Sequence, residues 1–149
     1  MNATADVTAE LGIAFRDGRV VHEDGFADLS PENVLGLDSQ EGVLVLRHGD
    51  THCQLGDVLL NLVSTVCVEI PSQLEAGEQA WFGAYASEMV MSFRPSGDTI
   101  SVIDEGIPPY DFPAAPLIAA LQAAGQRYGV LLRALWPDAP QDVLDQFSA

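Results

Sequence analysis

Four side chains that commonly bind metals or carry out catalysis lie close together in the sequence, at His48, Asp50, His52 and Cys53. Imidazole and thiolate groups are common zinc ligands in proteins. Gly49 and Asp50 form a turn between the histidines, so the helical face that presents two histidines four residues apart is missing. In an alternating strand, His52 and Cys53 also point to opposite faces. We interpret the cluster as polar residues of a hairpin and expect no metal site.

A cysteine beside a histidine would supply a nucleophile and its general base. Neither Cys53 nor Cys67 has the expected surroundings, because no helix begins beside Cys53 and Cys67 falls in the apolar stripe of a predicted helix. The chain also lacks the G-x-S-x-G motif, both glycine-rich phosphate-binding motifs and any lysine. We therefore expect no enzyme activity and no cofactor, with a hydrolase that uses cysteine and histidine as an alternative.

Acidic side chains dominate the chain, since 22 Asp and Glu stand against six Arg and give a net charge of −16. The acids are dispersed, which is typical of a solvated surface rather than of an acidic tail. Apolar residues make up 48% of the chain, enough to form a folded core. Solubility needs a net charge of only about 2–8 in magnitude. The excess favours a basic protein partner that is reached at an electrostatically steered rate.

The same charge disfavours other partners. Nucleic acid and anionic membranes should be repelled, so we expect direct binding to neither. The chain has no run of about 18 apolar residues that would span a membrane, and its first residues lack the pattern of a signal peptide, which together predict a cytoplasmic protein. A length of 149 residues predicts a single domain covering 1–149. A halophilic host with a generally acidic proteome is an alternative origin of the charge.

The segment Asp104–Asp111 is the strongest candidate for a binding site. It belongs to a predicted loop that extends to Pro113, and the three prolines of this loop stiffen it. Carboxylates and a tyrosine on a stiff loop suit recognition of Arg and Lys on a partner. An ordinary connector is the alternative interpretation of this loop. The predicted partner-binding residues are Asp104, Glu105, Tyr110 and Asp111 of the loop, together with the acidic pair Glu23 and Asp24.

The elements that position these residues are hairpins and helices. Alternating apolar residues and turn motifs predict strands at 7–15, 19–23, 43–46, 51–55, 81–87, 89–94 and 99–104. Helical spacing predicts main helices at about 57–70, with Asp57 as N-cap and a further turn before Gly77, and at about 116–136. Shorter helical turns are predicted at Ser30 and at 141–147. The order predicts an α+β fold with a mostly antiparallel sheet of about five to seven strands and the two main helices packed on it.

Aromatic and glycine residues add two expectations about packing. Trp81 begins a strand and Trp136 ends the long helix, and we expect both to cap the core. The alternative is that one aromatic residue of the group Trp81, Phe82 and Tyr85 is exposed as an interface anchor. Gly125 and Gly129 weaken the long helix, and we expect them to allow its close approach to the sheet.

Four features carry a resemblance: the helix that ends near Gly77, the W-F-x-x-Y strand from Trp81, the F-R-P-S-G-D-T-I-S-V hairpin from Phe93, and the closing helix before L-W-P. Together they resemble the small acidic immunity proteins of bacterial polymorphic toxin systems. The resemblance implies a non-catalytic protein that binds a cognate toxin and occludes its active site, the toxin being a nuclease or a nucleotide-modifying enzyme. A nucleic-acid mimic that inhibits a DNA-binding protein is an alternative, and it requires regularly spaced carboxylates along one face.

Overall fold

The structure, a computed structural model, describes residues 6–85, 88–104 and 107–147. The main elements in chain order are β1 (Thr8–Ala14), β2 (Val20–His22), β3 (Glu41–His48), β4 (Thr51–Val58), α1 (Leu59–Val63), a π-helical segment (Ser64–Glu69), α2 (Ile70–Glu75), β5 (Ala80–Gly83), β6 (Val90–Ser96), β7 (Thr99–Asp104), β8 (Tyr110–Pro113), α3 (Ala114–Leu135) and α4 (Gln141–Asp145). Two 3₁₀ turns, Glu23–Asp28 and Pro31–Asn33, lie between β2 and β3.

The described strands form two antiparallel sheets of four strands each, in the orders β2-β1-β3-β4 and β5-β6-β7-β8. Strand β4 contacts strand β8, so the two sheets adjoin at these edges. The predicted α+β class and antiparallel pairing are confirmed. We predicted one sheet of about five to seven strands, whereas the described residues form eight strands in two sheets. The additional strand is β8, which pairs with β7 within the segment that we predicted to be a loop.

The first main helix is longer than predicted and contains a π-helical segment. Helical residues run without a break from Leu59 to Glu75, which confirms the further turn before Gly77. In a regular α-helix the ring of Pro71 would clash with the carbonyl of Cys67, and the wider π turns precede this proline. The predicted N-cap role of Asp57 is wrong, because Asp57 belongs to β4 and Val58 occupies the N-cap position.

Helix α3 carries the buried stripe that its spacing predicts. The stripe consists of Leu117, Leu121, Ala124, Tyr128, Leu131 and Leu135. The helix contacts β1 of the first sheet and both β7 and β8 of the second. Buried side chains from all these elements belong to one apolar cluster. One helix therefore packs against strands of both sheets.

The glycines of α3 allow close contacts, although not with a sheet. A Cβ at Gly125 would lie 3.1 Å from the carbonyl oxygen of Cys67, and one at Gly129 would lie 2.7 Å from that of Phe147. The ring of Phe147 also meets Tyr128 edge-on, with centroids 5.0 Å apart. The expectation of a close approach to the sheet is therefore wrong. Gly125 instead leaves room for the π-helical segment, and Gly129 leaves room for the chain after α4.

Gly42 of β3 lets helix α1 lie directly on the first sheet. A Cβ here would lie 2.5 Å from the carbonyl oxygen of Gly12 and 2.6 Å from Cδ1 of Leu59. We expect Gly42→Ala to lower the free energy of unfolding by about 1–3 kcal/mol, the usual cost of overpacking a core. Urea unfolding monitored by circular dichroism measures the change.

Gly83→Ala is the matched control, because no atom lies within 4 Å of a Cβ added at this position in β5. We expect this variant to be as stable as the parent chain or slightly more stable. Equal losses of stability in the two variants would contradict the explanation from close packing.

Candidate functional site

The carboxylates of the described residues lie mainly at exposed positions, in turns and short helices. Exposed examples are Asp17, Asp24, Asp28, Glu32, Asp38, Asp50, Glu75, Glu78, Asp98, Asp138, Asp142 and Asp145. By contrast, several arginines interact within the chain, with Arg19 bonded to Asp17 and Arg47 close to Glu10. Most of the described carboxylates therefore face solvent, and part of the positive charge is paired at the surface with carboxylates of the same chain.

Glu23, one of the predicted partner-binding residues, forms an ion pair between distant parts of the chain. Arg127 of α3 donates from Nε to Oε2 of Glu23 at 2.8 Å and from Nη2 to Oε1 at 3.0 Å. The backbone N–H of Leu11 donates to the same Oε1 at 2.7 Å, and hydrogen bonding to Glu23 raises the pKa of Arg127. Glu23 thus joins α3 to β1, whereas its neighbour Asp24 is exposed.

The structure separates the residues of the predicted binding loop. Tyr110 and Asp111 are successive residues of β8, so their side chains lie on opposite faces of the second sheet. Tyr110 is half-buried, while Asp111 is exposed and accepts a hydrogen bond of 2.6 Å from the Ser101 hydroxyl. Asp104 is a half-buried residue at the end of β7, and Glu105 lies outside the described residues. By strand register, Asp104 and Tyr110 share the face of the second sheet that carries buried Val102, and Asp111 lies on the opposite face.

The hairpin cluster is divided between two faces, as predicted from its alternation. His52 is exposed and Cys53 is buried on the core side of β4. Nδ1 of His48 lies 3.0 Å from the backbone oxygen of Asp6. Within residues 6–85, 88–104 and 107–147, no group of three or more His, Cys, Asp or Glu side chains is placed to hold a metal ion.

The two tryptophans have different environments. Trp136 is 8% exposed and caps the core as predicted, with its indole Nε1 donating to the Leu35 carbonyl at 2.8 Å. The same expectation for Trp81 is wrong, because this side chain is 57% exposed. Ala80 and Phe82 occupy the core-facing positions of β5, so Trp81 must point outward. Tyr85 is 80% exposed, which agrees with the alternative of an exposed aromatic residue in this region.

An apolar groove of about 410 Å³ lies where α3 ends and the chain turns towards α4. We call it the Trp136 groove. Its lining residues are Pro31, Leu37, Asp38, Leu135, Trp136, Pro137, Asp138, Ala139, Pro140 and Val143. The charged residues of this lining, Asp38 and Asp138, are both acidic. The groove therefore offers apolar contact beside negative charge.

A second cleft of about 370 Å³ begins on the other side of Asp38. We call it the Tyr85 cleft, and its lining residues are Asp38, Val58, Leu60, Asn61, Ser64, Tyr85 and Gln146. Asp38 belongs to both linings, so the groove and the cleft adjoin at this residue. Val143 of α4 lines the groove, and Gln146 in the turn that follows α4 lines the cleft.

Two buried polar side chains hold the walls of these clefts. The Gln40 amide donates to the carbonyls of Ala14 and Glu41 and accepts from the Leu35 N–H at 2.8 Å. It thereby fixes the segment that carries Leu37 and Asp38. The Asp57 carboxylate, 2% exposed, accepts hydrogen bonds from the Asn61 amide at 2.5 Å and from the Tyr85 N–H at 2.9 Å.

Sequence reasoning missed both clefts. Their walls come from three segments, 31–38, 58–85 and 135–146, that are far apart in the chain. The residue types that line the groove and the cleft indicate what these surfaces can bind. Prolines and aliphatic side chains can bury an apolar group, and the carboxylates at Asp38 and Asp138 can accept hydrogen bonds from Arg or Lys.

Among the described helices, none is both long and apolar enough to cross a lipid bilayer. Comparison of the chain with models of protein families, with curated proteins and with solved structures gives no match.

Asp57 should stabilise the wall that carries Tyr85. Removing its buried carboxylate leaves the part-buried donors of Asn61 and Tyr85 without this acceptor, so we expect Asp57→Ala to cost about 1–3 kcal/mol of unfolding free energy. Hydrogen exchange at the Tyr85 amide should also accelerate. Asp38→Ala, which removes an exposed carboxylate from the same region, should change stability by less than about 0.5 kcal/mol. Equal stability of the two variants would count against a structural role for Asp57.

Both cysteine thiols should be unreactive in the folded protein. Burial raises the pKa of Cys53 and of Cys67 to about 12, from an ordinary value of 9.0. Burial thus disfavours the thiolate in the folded state. The contribution of each neutral thiol to folding stability is therefore complete below pH 9 and is lost as the pH rises towards 12. At pH 8 we expect iodoacetamide to label neither cysteine in native buffer and both in guanidinium, as measured by mass spectrometry. Rapid native labelling of either thiol would support the hydrolase alternative.

Proposed function

We propose that this chain is a non-catalytic binding protein that neutralises a basic protein partner. The observation that carries the proposal is the combination of a net charge of −16 with carboxylates that lie mainly at exposed positions. In keeping with the resemblance to immunity proteins, the proposed partner is a cognate toxin, such as a nuclease or a nucleotide-modifying enzyme. Binding would occlude the active site of this partner.

The physical role of the charge is to accelerate and select the encounter. An acidic surface concentrates a basic partner around it and raises the association rate by about 10- to 1,000-fold at low ionic strength. Arginine pairs such as Arg127 with Glu23 cancel one charge of each sign, so the excess of acidic residues sets the field that a partner meets. Like-charged molecules, including nucleic acid, are repelled by the same surface.

The alternative of a nucleic-acid mimic receives less support from the arrangement of the acids. A mimic needs carboxylates at regular intervals along one face. In the described residues, each strand carries at most one Asp or Glu, and α3 carries none over its 22 residues. Neither a strand nor the longest helix therefore provides such a row.

We place this activity in the cytoplasm. Cys53 and Cys67 are free thiols in the structure, and a reducing compartment keeps free thiols from forming disulfides. A partner made in the same cell would then be neutralised before it acts.

The proposal is tested by capturing the partner from the native host and purifying it. Titration of the chain should abolish the partner's enzymatic activity at a stoichiometric ratio. Stopped-flow association rates should fall by roughly tenfold or more between low and high salt, because screening shortens the range of the attraction. A partner that remains fully active when saturated, or an association rate that does not respond to ionic strength, would overturn the proposal.

A further inference from the structure

Resting on the proposed function, we propose that the Trp136 groove and the Tyr85 cleft form the docking site for the partner. The occupant that we infer is a segment of the partner with an apolar side chain flanked by Arg or Lys. The apolar side chain enters the Trp136 groove. The flanking cations contact Asp38 and Asp138 at its border.

The Trp136 groove is built to accept a side chain without rearranging. The indole of Trp136 is fixed by its hydrogen bond to the Leu35 carbonyl. Pro31, Pro137 and Pro140 in the lining restrict the backbone around it. A preorganised wall lowers the entropy that binding must offset. The volume of about 410 Å³ also lies within the range of roughly 300–1,000 Å³ that is usual for ligand clefts.

The charge around the groove selects a basic segment. Asp38 lies between the groove and the Tyr85 cleft, and Asp138 lies in the groove lining, which contains no arginine. Two further exposed acids adjoin lining residues in the sequence, Glu32 beside Pro31 and Asp142 beside Val143. An apolar floor bordered by carboxylates is complementary to an apolar residue between cations.

Tyr85 adds an aromatic anchor at the far side of Asp38. Its side chain is 80% exposed, while its backbone N–H is held by the buried Asp57 carboxylate. Tyrosine is enriched among the residues that dominate binding energy at protein interfaces. Tyr85 and Asp38 line the same cleft, so a long basic side chain that bonds to Asp38 can also contact this ring.

Two other surfaces expose apolar groups but fit a basic partner less well. On the open face of the second sheet, Trp81 and Val90 lie near a row that contains both Arg94 and Asp111, so the charges there are mixed. The outer face of α3 exposes Val130 and has arginines but no carboxylate. The groove differs from both because every charge in its lining is negative.

The test uses a synthetic peptide, Arg-Arg-Leu-Leu-Arg-Arg, as the probe. The chain carries Trp81→Phe, so that Trp136 is the remaining tryptophan and its fluorescence reports on the groove. We expect saturable binding with a change in Trp136 emission. A peptide with both leucines replaced by serine keeps the charge and should bind at least about tenfold more weakly, because it loses the burial of two large apolar side chains.

A matched pair of charge variants locates the site. The double variant Asp38→Asn with Asp138→Asn should bind the leucine peptide roughly 5- to 30-fold more weakly. This is the range expected for the loss of two ion pairs at the border of a site. Asp50→Asn with Asp98→Asn changes the net charge equally at two hairpin turns and should change the affinity by less than about twofold. Circular dichroism verifies that both double variants are folded.

Equal weakening by the two double variants, or equal binding of the serine peptide, would show attraction to bulk charge and would overturn the docking site. The same variants separate this inference from the proposed function. If the captured toxin is inhibited with a salt-dependent rate but binds the Asp38 and Asp138 variant normally, the docking site fails and the function stands. If the peptide results hold while the captured protein stays active in the complex, the function fails instead.

Discussion

The fold depends on the burial of helix α3 against both sheets. A chain with a net charge of −16 repels itself, and this repulsion favours expanded states over the folded one. The opposing contribution comes from the apolar cluster that the two sheets and the helices share. Helix α3 supplies a large part of this cluster over 22 residues without contributing a carboxylate. Most of the described carboxylates lie instead in exposed turns and short helices, which we call the acidic edges.

This division between an apolar helix and acidic edges explains where a binding surface can form. At Trp136 the helix ends, and the chain turns through two prolines towards α4, which is rich in aspartate. The apolar end of the core and the acidic edge come together at this turn. The Trp136 groove therefore combines burial with negative charge. The outer face of α3 and the open face of the second sheet do not show this combination.

Local patterns in the sequence predict the elements that repeat a simple period. The alternation of β1, the Asp17-Gly18 turn and the buried stripe of α3 depend on residues close in the chain, and the structure contains all three. Strand β8 was missed because the three prolines in and before it are typical of a loop. An edge strand nevertheless tolerates proline, which has no backbone N–H to donate a hydrogen bond. Trp81 was misplaced because its neighbours Ala80 and Phe82, rather than the larger indole, take the core-facing positions.

The candidate site was not predictable in the same way. The Trp136 groove joins residues more than 100 positions apart, such as Pro31 and Val143. Glu23 provides a similar example, since its partner Arg127 lies 104 residues away. Acidic residues can be counted in a sequence, but whether a carboxylate pairs internally or borders a cleft depends on tertiary packing. The burial of Asp57 likewise depends on the Tyr85 backbone, 28 residues further along the chain.

Hydrogen exchange of the chain with and without its captured partner, followed by mass spectrometry, tests the central claim most directly. The account predicts that binding slows exchange in residues 29–40 and 136–147, which carry the acidic borders of the groove. Exchange in β5 and β6, beneath the open face of the second sheet, should stay unchanged. Protection confined to that sheet, or to the outer face of α3, would contradict docking on the acidic surface.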